Sequence, residues 1–303
     1  MNGRIPDRGL LERIARQAMA ENGLEPDFPP QALEQLAGIP GPDRDPSLPD
    51  LTGLPWCSID NDDSRDLDQL SAAQRLPNGG IRVLVAVADV DGRVSKNTPL
   101  DLHAQKNTTT VYTGVATFPM LPERLSTDLT SLSPNEERTA LVVEMTLDGE
   151  GRVGASRILR ARVLNRAQLA YNGVGAWLEG RGPLPEAAAR VPGMEAQLRL
   201  QDEAAQRLVA RRHEHGALAL QTLQPRPVTQ DGLVVDLALE VQNRAGQLIE
   251  DFMVAANGAT ARFLTAQGFP TLRRVVRKPK RWDRIVSVAA SLGETLPGDP
   301  DPK

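Results

Sequence analysis

Five of the nine residues in the stretch 60–68 are aspartate, in the run Asp60-Asn61-Asp62-Asp63-Ser64-Arg65-Asp66-Leu67-Asp68, and an apolar segment at 81–90 follows soon after. Carboxylates packed this closely repel one another, and each resists ionising beside its neighbours. A chain can spread them over a solvated loop, which is the plainer alternative. It can also fold them around a hard divalent cation, since Mg²⁺ and Mn²⁺ take oxygen ligands at short distance. Phosphoryl-transfer enzymes use such clusters to activate water and to stabilise the leaving oxygen. An EF-hand loop is excluded. With Asp60 at position one, the required glycine is Arg65 and the closing glutamate is Ser71.

The rest of the chain fits a soluble globular α+β protein. Its 303 residues, 40% hydrophobic, suffice for a substantial core. One cysteine, Cys57, rules out a disulfide within the chain and a cysteine-based zinc site. No apolar run approaches membrane-spanning length and the N-terminus lacks a signal-peptide core, so the expectation is a cytoplasmic protein with no membrane partner. A net charge of −4 argues against broad adhesion to nucleic acid, so any such contact needs a locally basic groove. Seven of the twelve residues from 273 to 284 are Lys or Arg, which reads either as a solvated face or as a phosphate track.

Helical periodicity in Leu10, Leu11, Ile14, Ala15, Ala18 and Met19, and again at 30–36, predicts a small helical leader. Prolines 40, 42, 46, 49 and 55 mark a linker, dividing the chain into a leader and linker at 1–50 and a main domain from 51 to 303. Strands are expected at 81–90, 140–147 and 152–164, the last two joined at Asp148-Gly149-Glu150-Gly151. Asp231-Gly232 closes a further hairpin between 225–228 and 233–237. Helices are expected at 166–180, 194–214 and 244–266, the last with an apolar stripe of Ala245, Leu248, Ile249, Phe252, Met253, Ala256 and Phe263. Glu250 and Asn257, seven apart, share a face beside that stripe. Strands and helices interleave without a regular βαβ repeat.

Ile59-Asp60 with Arg65-Asp66-Leu67-Asp68 resembles the signature of the ribonuclease II-like (RNB) exoribonucleases. Further stretches follow in that family's order: Val87-Ala88-Asp89-Val90, Asp101 with Ala104, Tyr112, Pro119-Met120-Leu121-Pro122-Glu123, Ser131-Leu132, Gly216-Ala217-Leu218, and Glu250-Asp251-Phe252-Met253 with Ala256-Asn257. The resemblance implies an RNB-type catalytic domain, an antiparallel or mixed sheet surrounded by helices. It implies a Mg²⁺-dependent (or Mn²⁺-dependent) 3′→5′ hydrolytic exoribonuclease that acts on single-stranded RNA as a monomer and releases nucleoside 5′-monophosphates. Asp60, Asp66 and Asp68 match catalytic metal-holding carboxylates, Tyr112 and Tyr171 match RNA-contacting tyrosines, and Glu250 matches a glutamate on the terminal ribose hydroxyls. Asn257 matches another motif position, for which RNA contact, capping and core hydrogen bonding all stand open.

The chain also departs from the pattern. Gln69 stands where the family usually has a fourth aspartate; its amide oxygen can bind a metal or a metal-bound water but brings no charge. Leu220 stands where some members carry a stacking phenylalanine. An arginine-bearing segment, a further carboxylate and an S1-type RNA-binding module are expected beyond residue 303, which would leave the catalytic domain incomplete here. The alternative is an RNA-binding protein on a weakened or inactive RNB fold. A small-molecule phosphatase fits less well, for want of a phosphate-cradling glycine loop. His103, His213 and His215 show no metal-binding pattern.

Overall fold

The structure is a computed structural model and describes residues 8–217, 224–230, 233–240, 242–272 and 279–300. Six strands form one mixed sheet: β1 (Cys57–Asp60), β2 (Gln69–Arg75), β3 (Ile81–Ala88), then β6 (Glu137–Leu147), β7 (Val153–Leu164) and β8 (Ala167–Ala170). Their spatial order is β7-β6-β3-β2-β1-β8, with every pair antiparallel except β1 and β8. A two-residue hairpin, β4 (Val111–Tyr112) with β5 (Thr117–Phe118), lies apart, as does the pair β9 (Gln224–Gln230) and β10 (Leu233–Glu240). The expected Asp231-Gly232 turn between β9 and β10 lies outside the described residues, as do Leu220 and 273–278 of the basic stretch.

Apolar side chains alternate along β3 to both faces, which explains its nearly continuous apolar run. Ile81, Val83 and Val85 join one core cluster, Leu84 and Ala86 another. The first face is covered by α4 (Tyr171–Leu178), α6 (Met194–Glu214) and α7 (Arg244–Ala266), with the short α5 (Glu186–Ala189) beside them. On α7 the stripe Ala245, Leu248, Ile249, Phe252 and Ala256 is buried as its periodicity predicts. Phe263 departs from that stripe and is 41% exposed. Trp56, fully buried with its indole N–H on Leu51 O at 2.8 Å, caps the second face. The proline-rich stretch is therefore bound to the sheet; Leu51 N donates to Arg162 O on β7 at 2.9 Å.

A third cluster joins the leader to the body. Ala32 of α2 (Pro30–Ala37) packs with Leu100 of α3 (Pro99–Asn107) and with Leu125 and Leu129 of a π-helical turn. Asn107 clasps the backbone of Glu25 from both sides, at 2.8 Å each, and buried His103 meets the Glu25 carboxylate at 3.2 Å. Arg16 of α1 (Arg8–Glu21) lies over the Phe118 ring of β5. The helix expected across 166–180 is corrected. Ala167–Ala170 forms β8 because parallel pairing with β1 buries Ala167 and Leu169 on alternate positions, and only the remainder coils into α4. Among the described residues no helix is long and apolar enough to cross a membrane.

At mid-sheet a helix supplies hydrogen bonds that a strand would otherwise make. The registered ladder between β1 and β2 is one pair, Cys57 with Ser71, so Ala73 faces no strand on that side. Gln197 of α6 replaces it, accepting from Ala73 N at 2.5 Å and donating to Ala73 O at 2.8 Å. Buried backbone groups that lose a partner cost about 1–3 kcal/mol each. Gln197→Leu is therefore expected to lower stability by about 2–4 kcal/mol, with the apolar gain of leucine offsetting only part of two lost partners; urea titration followed by circular dichroism measures it.

Candidate functional site

The acidic run spans the gap between β1 and β2 at one end of the sheet. Continuing the register of Cys57 with Ser71 along the diverging strands sets Asp60 opposite Asp68. Leu67 is the anchor between them, 3% exposed in the second core cluster. Its N–H donates to Ser131 Oγ at 3.1 Å, that hydroxyl donates to Arg65 O at 3.2 Å, and Leu67 O accepts from Leu132 N at 2.8 Å. With Leu67 turned inward, the extended chain turns Asp66 and Asp68 outward together. Asp68 O accepts from Ala88 N at 2.9 Å, which ties the loop to the end of β3.

Asp68 is open to solvent. Its carboxyl is held above the usual carboxylate range, first by desolvation and then by the charges of Asp60 and Asp66. The three carboxylates therefore feel one another. Among the described residues no three His, Cys, Asp or Glu side chains are gathered into a ready-made metal cage. The donor chemistry nonetheless fits a hard divalent cation: oxygen ligands only, with mutual repulsion that such an ion relieves.

Gln69 is 6% exposed and its Nε2 donates to Ile59 O at 3.0 Å. This contact closes the sheet where β1 and β2 part, and an aspartate at that position has no hydrogen to donate. Around the loop, Asp62 accepts from Asn172 Nδ2 at 2.5 Å, Ser64 O accepts from Gln168 Nε2 at 3.4 Å, and Arg65 pairs with Glu123 at 3.2 Å. Tyr171, the first residue of α4, is partly buried against the first core cluster and follows β8, whose Ala170 registers with Asp60. Tyr112 on β4 is 73% exposed, held outward by a hairpin whose Phe118 is buried and whose turn is closed by Thr113 Oγ1 on Ala116 O at 2.6 Å. Its segment meets the one that carries Glu123, since Met120 N donates to Thr110 Oγ1 at 3.1 Å.

Glu250 and Asn257 are both exposed on α7. Glu250 accepts from Gln242 Nε2 at 2.6 Å, and neither residue has a described contact with the acidic loop. Sequence reading passed over Asn172, which has no local signature, and showed Glu123 and Ser131 only as parts of motifs. Cys57, behind the site on β1, is fully buried with its thiol pushed up to about 11 by desolvation, so it is no nucleophile.

Known proteins share this fold. The RNB domain family matches residues 49–296. Ribonuclease R of Escherichia coli (strain K12) is 33% identical over 285 residues, covering 90% of this chain and 34% of that protein. Ribonuclease R 1 of Lactococcus lactis subsp. lactis (strain IL1403) is 28% identical over 302 residues, 98% of this chain and 36% of that one. Mycoplasma genitalium RNase R, solved in complex with ribose-methylated single-stranded RNA, superposes with a TM-score of 0.81 at 25% identity over 95% of this chain and 45% of that chain. The chain thus spans about a third of the length of these curated relatives. On the family match, the shared fold and the ordered motifs that carry its acidic loop, this chain belongs to the RNB-domain family.

Proposed function

We propose that residues 51–303 are the N-terminal and central part of the RNB catalytic domain of a 3′→5′ exoribonuclease that hydrolyses single-stranded RNA to nucleoside 5′-monophosphates. The observation that carries the reading is the placement of Asp60 opposite Asp68 where β1 and β2 part, with Asp66 turned to the same side as Asp68. Those three aspartates would hold Mg²⁺, or Mn²⁺, which when bound supplies Lewis acidity at the scissile phosphate and a water of lowered pKa. The protein's own part is positioning. Leu67 and Ser131 fix the loop, and Asn172 ties it to α4. Exposed Tyr112 offers a ring on which any base can stack, and Tyr171 stands beside the loop at the head of α4. Glu250 offers two acceptor oxygens to ribose hydroxyls, the groups that distinguish RNA from DNA, and Asn257 extends that polar face. The intact protein would work as a cytoplasmic monomer with an S1-type RNA-binding module outside this chain.

A second reading, an RNA-binding protein with a weakened nuclease site, is favoured by one observation. The Gln69 nitrogen is committed to Ile59 and its side chain brings no charge to the cluster. This reading expects salt-sensitive RNA binding and no mononucleotide product from the full-length protein under any divalent metal.

Three outcomes test the first reading. Asp68→Asn should abolish Mg²⁺-dependent shortening of 3′-end-resolved RNA while RNA binding stays intact. At 10 mM Mg²⁺ the wild-type Tm should rise by about 1–3 °C, as expected for a weak site that binds the folded state only, and the rise should vanish in Asp68→Asn. Wild-type digestion by the variant would remove Asp68 from the site.

Tyr112→Ala should weaken binding to single-stranded RNA by about 1–3 kcal/mol, roughly 5- to 150-fold, with no preference among bases. Fluorescence anisotropy with homopolymers reads this directly.

Glu250→Ala loses a hydrogen bond to a charged acceptor, worth about 1.5–3 kcal/mol, and should slow RNA cleavage roughly ten- to a hundredfold. The gap between RNA and the same strand with one 3′-terminal deoxynucleotide should narrow in single-turnover assays. An unchanged gap would mean that the ribose is read elsewhere.

A further inference from the structure

Asp60 ends β1 and Asp68 directly precedes β2, and these two strands are registered to each other only at Cys57 with Ser71. Beyond that pair the strands diverge, so the two carboxylates stand at the open end. Like charges facing each other across strands repel, which pushes β1 and β2 further apart. Pairing with β8 steadies the other edge of β1, but it does not fix the distance from β1 to β2.

One side chain crosses the gap. Gln69 Nε2 donates to Ile59 O at 3.0 Å. The two ends of this bond are the immediate neighbours of the carboxylates, since Ile59 precedes Asp60 and Gln69 follows Asp68. Ile59 is fully buried and Gln69 is 6% exposed, so water competes little for either group. The bond therefore ties the backbone beside one aspartate to the backbone beside the other.

Alternation along the strands places the amide behind the carboxylates. Ser71 meets Gln201 of α6 at 2.7 Å and Ala73 joins the first core cluster, which sets Gln69 on that same face of β2. Ile59 lies in the same cluster, so Asp60, like Asp68, alternates to the opposite face.

We propose that Gln69 is a positioning residue for the divalent-cation site, fixing the separation of Asp60 and Asp68 through Ile59, and is not itself a ligand. The inference rests on the reading of the acidic loop as a metal site. Its consequence is selectivity. Mg²⁺ demands near-ideal octahedral geometry at about 2.0–2.1 Å, whereas Ca²⁺ accepts about 2.3–2.6 Å in flexible geometry. Loss of a ligand weakens both cations together, and a general loss of stability lowers Tm without reordering them. A loosened separation changes their ratio.

The test is thermal unfolding of the chain near pH 8 across separate MgCl₂ and CaCl₂ titrations, which gives an apparent affinity for each cation from the rise in Tm. Gln69→Met, similar in length and unable to donate, should weaken Mg²⁺ roughly tenfold, as expected for loss of an outer partner, and Ca²⁺ by no more than about threefold. Gln69→Glu keeps the oxygens and adds a charge, but its ionised form has no hydrogen for Ile59 O. It should also lower the ratio of Mg²⁺ to Ca²⁺ affinity, and it carries the test if Gln69→Met does not fold. Asp68→Asn should remove binding of both cations. Equal weakening of the two cations in Gln69→Met, or tighter Mg²⁺ at an unchanged ratio in Gln69→Glu, would overturn the positioning role and leave the metal site standing. No saturable rise in the wild type, or a rise that survives Asp68→Asn, would overturn the metal site itself and this inference with it.

Discussion

Strand β1 has only four residues, yet it carries Asp60, and much of the molecule is arranged to keep it in the sheet. Its ladder to β2 is a single registered pair, so the parallel pairing with β8 does most of the backbone work. Side chains complete the rest. Gln69 bonds Ile59 O, Asn165 Nδ2 bonds Ser58 Oγ at 3.1 Å and Leu132 O at 2.9 Å, and Gln201 Nε2 reaches Cys57 Sγ at 3.6 Å. Cys57, Ser58 and Ile59 are all fully buried, so each unmade polar contact there would carry its full desolvation cost. A short strand held this way can part from its neighbour at one end, and that parting makes room for the carboxylates.

Charge is distributed along the same axis. At the parted end, desolvation raises the Asp68 carboxyl and the charges of Asp60 and Asp66 raise it further. At the far end, α6 and α7 bring arginines together over a buried Asp251 whose carboxyl is pushed up to about 6, chiefly by desolvation. A net charge of −4 hides this separation.

The leader belongs to this arrangement as well. Through Asn107 and His103 it is clasped to α3, and through Arg124, which donates to Leu36 O and Ile39 O at 2.9 and 3.0 Å, to the segment before the π-helical turn. Arg16 over Phe118 carries the contact to the hairpin that presents Tyr112. The exposed tyrosine is thus backed by a helix more than ninety residues earlier in the chain, and Arg65–Glu123 joins the neighbouring segment to the acidic loop.

Much of this was legible before folding. The apolar run of β3, the periodicity of α7, the β6–β7 turn and the ordered motifs around Asp60, Asp66 and Asp68 are local signals, and local signals survive in a linear string. Others misled for the same reason: 167–170 reads as helix by pattern and becomes strand because β1 offers it an edge, and Phe263 fits the stripe yet is 41% exposed. Family, α+β class and the identity of the acidic groups can be read from the chain alone, because these depend on residue type and spacing. That Tyr112 faces solvent, that the Gln69 amide nitrogen bonds β1, and that Arg262 and Asp251 share one cavity emerges with the packed fold. Each of those depends on which distant backbone comes to lie alongside, and no local pattern encodes it.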